Sequence, residues 1–188
     1  MFVTKPTIDV EYYYNPEWYD KDYFYSPDGI KEHPKHHCKR SFFESLPWHK
    51  QAKRNAIDIG ARDGEFTRYL NHYYDHTYCF EPRNRDYFFY NTIESKTTHY
   101  RCAVDNEKNR IDDLLLTDID FIKIDTDGGE HDIIKGLENT IEKYNPVILL
   151  EVYFPDQKTA LEMLYDIGYE TKTTCFRDWD HTLVRKDK

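Results

Sequence analysis

The chain has 188 residues, with 26 Lys/Arg against 35 Asp/Glu and a formal net charge of −9. That length bounds one domain with enough chain for a sizeable core. Charged residues make up 32%, no apolar run nears the ~18–20 residues of a membrane span, and no basic segment followed by an apolar stretch opens the chain as a secretion signal would.

Charge is unevenly spread. Residues 1–54 carry nine Lys/Arg and eight Asp/Glu, which leaves the remainder ten charges negative. An acidic core disfavours nucleic acid as a partner, because a phosphate backbone needs cations. Lys31–Arg54 is the exception, with seven basic residues against two acidic, and reads as a solvated face or a phosphate contact. Cys38, Cys79, Cys102 and Cys175 stand singly without CxxC spacing. They read as reduced thiols in a cytoplasmic protein.

In chain order, residues 1–54 read as an aromatic arm, EYYYNPEWYDKDYFYSPDG within it, followed by a lead-in helix over Ser41–Lys53. The arm's pattern has neither period 2 nor period 3.6. Its rings pack on the core or stack on a sugar face. His33, His36, His37 and Cys38 match no zinc spacing. From residue 55 to 188 strands and helices alternate as one domain. Strands are expected at Asn55–Gly60, Thr77–Glu81, Tyr100–Val104, Ile119–Asp125 and Val147–Tyr153. Helices are expected at Gly64–Tyr74, Arg83–Ile93, Glu130–Tyr144 and Gln157–Ile167, with a short turn at Ile111–Leu115. Asp156 caps the last helix and Gly168 ends it. Glu170–Phe176 and His181–Lys186 form a closing hairpin.

The segment Ala56–Leu70, AIDIGARDGEFTRYL, is a buried strand, a glycine turn and a helix start. Glycines at 60 and 64 permit positive φ and close approach of the backbone to a ligand. Amides at the helix start face that ligand. The spacing is not GxGxxG, since Arg62 occupies the middle position. Glu81 ends the next strand about twenty residues on, where a carboxylate can accept both ribose hydroxyls of an adenosine.

Four blocks run in one order: AIDIGARDGEFT, CFEPRNRDYFFYN, IDDLL with IDFIKIDTDGGEHDIIKG, and NPVILLEV. With them the chain resembles the FkbM-type family of S-adenosylmethionine-dependent methyltransferases, over roughly residues 55–154. The resemblance implies a Rossmann-like class I methyltransferase fold. That is an α/β architecture with a mostly parallel seven-stranded sheet of order 3-2-1-4-5-7-6 and an antiparallel C-terminal hairpin. It implies S-adenosyl-L-methionine as cofactor and O-methylation of a hydroxyl on a sugar, glycan or related small metabolite. Departures are Arg62, Asp127 where the family has Glu, and a short Asn106–Arg110 segment.

The expected donor site comprises Asp58, Gly60, Ala61, Arg62, Gly64, Glu81 and Pro82, with Asp105 toward the adenine amine. The expected catalytic side is Asp125, Glu130 and His131. Asp125 and Glu151 end neighbouring strands, and crowded carboxylates raise each other's pKa or recruit a cation. Asp125, Asp127 and Glu151 could admit Mg²⁺ or Ca²⁺, though a metal-free enzyme is the preferred reading. Lys123, inside a buried strand, should pair with a carboxylate. The competing reading is a non-catalytic binding or structural module that keeps the fold.

Overall fold

The computed structural model describes residues 24–25, 31–32, 54–83, 92–153, 157–175 and 179–186. The aromatic arm apart from Phe24–Tyr25, the lead-in helix, His33 to Cys38, most of the helix expected at Arg83–Ile93, and Asp156 lie outside them. A small antiparallel ribbon pairs Phe24–Tyr25 with Lys31–Glu32.

The main sheet has seven strands. They are β1 (Asn55–Ile59), β2 (His76–Phe80), β3 (Thr97–Tyr100), β4 (Ile119–Ile124), β5 (Val147–Glu151), β6 (Tyr169–Cys175) and β7 (Asp180–Arg185). Their order is β3-β2-β1-β4-β5-β7-β6. Strands β1 to β5 run parallel, and β7 lies antiparallel to both β5 and β6. The order and the antiparallel hairpin match the expectation from sequence.

Strand alternation sorts the core onto two faces. Ile57, Ile59, Ile122, Ile124, Ile148 and Leu150 share one cluster with Ile133, Ile134, Leu137, Ile141, Ala160 and Leu164. Ala56, Phe121 and Leu149 share another with Phe66, Tyr69, Leu70 and Tyr74. The latter four residues belong to α1 (Glu65–Tyr73) and its C-cap. Phe121 stacks between Phe66 and Tyr74, with centroid distances of 6.5 and 5.9 Å. Those rings fix α1 across β4 and so fix where its N-terminus opens.

Two elements differ from the sequence reading. The helix expected over Glu130–Tyr144 is two helices, α2 (Glu130–Lys135) and α3 (Glu138–Tyr144). The two meet at Gly136 and Leu137, and position 136 must be glycine because a Cβ there would lie 2.3 Å from the Asp105 carbonyl oxygen. The Gly136 carbonyl turns out of the helix to accept the Asp112 amide at 3.1 Å. The Asp112 carboxylate then caps α3 from outside, accepting from the Asn139 and Thr140 amides and the Thr140 hydroxyl at 2.7–3.0 Å.

The third strand covers Thr97–Tyr100 rather than Tyr100–Val104. Its polar residues are held from below. Asn71 accepts from the Ile93 amide and the Thr97 hydroxyl, and Lys96 donates to the Asn71 and Tyr74 carbonyls at the end of α1. Cys102 to Val104 are thereby freed from the sheet to line a cleft. The last helix, α4 (Lys158–Asp166), ends at Gly168, whose φ is +91°.

Candidate active site

A cleft of about 430 Å³ opens at the carboxyl ends of β1, β2 and β4. Gly60, Ala61 and Arg62 form one wall, Phe80, Glu81 and Pro82 a second, and Lys123 and Asp125 its floor. This is the crevice where parallel α/β sheets receive ligands.

The turn after β1 is shaped by close approach. Gly60 has φ +76°, and a Cβ on it would lie 1.8 Å from the Asp125 carbonyl oxygen. Its amide and that of Ala61 both donate to the Phe80 carbonyl, at 2.9 and 3.2 Å. Gly64, at φ +78°, is the N-cap of α1. Arg62 adopts a left-handed φ of +49° without being glycine. Such a conformation costs about 1 kcal/mol or more and is held by the hydrogen bond from the Arg62 amide to Glu81 Oε2, 3.1 Å long.

Glu81 is buried, and its Oε1 accepts from the Arg83 amide at 2.9 Å. Among the described residues each oxygen has one partner, which leaves a lone pair for a ligand hydroxyl. The Arg62 guanidinium stands 3.8 Å from Asp63 with 59% of its side chain exposed.

Asp58 is wholly buried beneath the turn. It accepts from the Thr67 hydroxyl at 2.6 Å and from Lys123 Nζ at 3.0 Å. Thr67 also meets the Cys79 thiol at 3.4 Å. Burial, with the Asp58 charge nearby, pushes that thiol's pKa well up. Cys79 is therefore an inert part of the core.

On the other side of the cleft, Asp125 lies 3.8 Å from Lys123 with its side chain 14% exposed. The carboxylates of Asp125, Asp127 and Glu151 gather within 4.8 Å of one another. They are one group able to offer three oxygens to a hard cation.

Besides Asp58 and Gly64, which do not line the cleft, three expected residues sit elsewhere. The Asp105 carboxylate closes its own loop, accepting the amides of Glu107, Lys108 and Asn109 at 2.7–3.0 Å. Those amides, Asn109 foremost, hold its carboxyl below the usual carboxylate range. The cleft wall there is Cys102, Ala103 and Val104 instead. Glu130 is buried and holds the loop before α2, accepting from the Thr126 hydroxyl at 2.9 Å and the Gly128 amide at 3.0 Å. His131 is on the surface, 3.2 Å from Asp132, and does not line the cleft. The supporting roles of Thr67, Thr126 and the Arg83 amide carry no signal in sequence spacing.

A sheet of this order with a glycine turn and an acid at the end of β2 defines a class I methyltransferase fold. The likeness to solved structures agrees. A methyltransferase FkbM from Methylobacillus flagellatus KT aligns with a TM-score of 0.56 at 17% identity, covering 77% of this chain. This chain spans about half (49%) of that structure's length. A precorrin-6y C5,15-methyltransferase from Geobacter metallireducens GS-15 aligns at 0.57 and 19%, covering 87% and 93% of the two chains. A precorrin 8w decarboxylase from Methanobacterium thermoautotrophicum aligns at 0.59 and 16%, covering 88% and 96%. No curated protein matches. The methyltransferase FkbM domain family model matches residues 30–171, and the chain belongs to that family.

Proposed function

We propose that this chain is an S-adenosyl-L-methionine-dependent O-methyltransferase acting on a hydroxyl of a sugar, glycan or related small metabolite. The observation that carries the donor reading is the junction of Gly60 and Glu81 in one cleft. The tight turn brings backbone to the ligand, and a buried carboxylate with spare lone pairs faces a ribose diol. The donor's sulfonium arrives activated, so the protein's part is to align an oxygen with the methyl carbon and remove its proton.

Asp125 is the group for that proton. It lies on the cleft floor, whereas Glu130 is engaged with its own loop. The chemistry needs no Lewis acid, so the reading is metal-independent even though Asp125, Asp127 and Glu151 converge. Arg62 is compatible with turnover, since its amide orders Glu81 while its side chain is directed largely to solvent. A hydroxyl acceptor of small size suits the cleft and an acidic domain. Among the described residues no helix is long and apolar enough to cross a membrane.

The test is calorimetric titration with S-adenosylhomocysteine, followed by transfer of labelled methyl from S-adenosylmethionine to a panel of sugars with and without EDTA. Binding together with EDTA-resistant label on a sugar hydroxyl is expected. Absence of binding would return the chain to a non-catalytic module, and loss of transfer in EDTA would make it a metal enzyme.

A further inference from the structure

We propose that Lys123 is a positioning residue for the amino-acid end of the donor, because it fastens the Gly60 peptide from strand β4. The inference rests on the donor reading above.

An ammonium in the middle of a central parallel strand is costly to desolvate unless it is fully paired. Lys123 lies between Ile122 and Ile124, and its side chain is 3% exposed. Pairing with Asp58 alone would leave two of its three donors unmet. Instead Nζ donates to Asp58 Oδ1 at 3.0 Å and to the Gly60 carbonyl at 3.0 Å. It also stands 3.8 Å from Asp125 Oδ2, and 5.7 Å from the centre of the Phe66 ring.

Gly60 is thus held at three points. Its amide meets the Phe80 carbonyl of β2. Its Cα abuts the Asp125 carbonyl beyond β4, too close for a side chain. Its own carbonyl receives Lys123. Two of those fasteners come from the β4 side, which also carries Asp125. One ammonium therefore links the turn expected to meet the donor's amino-acid end with the carboxylate expected to take the acceptor's proton. Lys123 lines the cleft and Asp58 does not, so Asp58 serves as the buried counter-charge that aims the lysine. The Gly60 carbonyl retains a second lone pair for the ligand's ammonium.

The test compares two ligands that share the thioadenosine unit. S-adenosylhomocysteine carries the amino acid, and 5′-methylthioadenosine lacks it. Lys123→Met alone strands a buried carboxylate, so the informative pair is Asp58→Asn against Asp58→Asn/Lys123→Met, each with its unfolding midpoint measured. Relative to Asp58→Asn, the double variant should bind S-adenosylhomocysteine roughly tenfold more weakly, the scale of one charge-assisted hydrogen bond. Its affinity for methylthioadenosine should match. Equal S-adenosylhomocysteine affinity in the two variants, or parallel loss of both ligands, would overturn the proposal and leave Lys123 a plain structural ion pair. Wild-type protein that binds neither ligand would instead overturn the donor reading and this inference with it.

Discussion

The two walls of the cleft are made of different material. Around Gly60 and Glu81 the surface is largely backbone, with turn amides, carbonyls and one carboxylate whose oxygens each hold an amide. Across it, Asp125 and Asp127 line the cleft and gather with the buried Glu151 within 4.8 Å. Backbone groups keep their positions through the sheet itself, so the first wall suits a ligand that is always the same. A wall of side chains can be exchanged residue by residue without moving the fold, so the second suits an acceptor that varies.

The contrast can be broken from either side. The largest effect should come from Asp125→Asn. It should cost roughly 10²–10⁴ in turnover, the usual worth of a positioned base, and leave S-adenosylhomocysteine affinity unchanged. A variant that still turns over at the wild-type rate would move the base elsewhere.

Gly60→Ala strikes the backbone wall. It adds a methyl against the Asp125 carbonyl at a positive φ. Strain and overpacking together should lower stability by about 3 kcal/mol or more, measured by urea unfolding. A loss under about 1 kcal/mol would mean that the turn gives way more easily than its geometry implies.

Glu81→Ala should weaken S-adenosylmethionine binding by about 1.5–3 kcal/mol in a protein that still melts cooperatively. Unchanged affinity in calorimetry would remove Glu81 from the donor wall.

Asp112→Ala is the smallest and serves as the control beyond both walls. Removing the external cap of α3 should cost about 1 kcal/mol of stability with no change in donor affinity. A shift in affinity would extend the donor wall into the helical layer.

The backbone wall is also the part that the sequence reveals. Glycines where φ must be positive and an acid at a strand end are dictated by local geometry, so Gly60, Gly64 and Glu81 are legible from spacing. The sheet order follows from the family resemblance and the alternation of strands and helices. Other features depend on contacts distant in sequence. Gly136 looks like an ordinary helix residue until the Asp105 carbonyl is brought beside it. Thr97–Tyr100 has too little apolar alternation to mark an edge strand, so the apolar residues after it are mistaken for the strand. Asp105 falls in the loop after β3, where no period sets where a side chain points, and its carboxylate closes that loop. His131 falls in the first turn of α2, on the side away from the cleft.

The short Asn106–Arg110 segment has an architectural consequence. Its ends are secured separately, by the Asp105 carboxylate on one side and by the Asp112 carboxylate on α3 at the other. Because the Asp105 carboxylate clamps the amides of Glu107 to Asn109, the span left between the anchors is the joint Asn109–Ile111, and that joint is a port for added chain. Lengthening a flexible loop costs only about 0.6 kcal/mol per doubling, so a graft there could bring new groups to the cleft mouth while both anchors stayed in place. The fold thus offers a place where acceptor choice could be rewritten by insertion rather than by substitution.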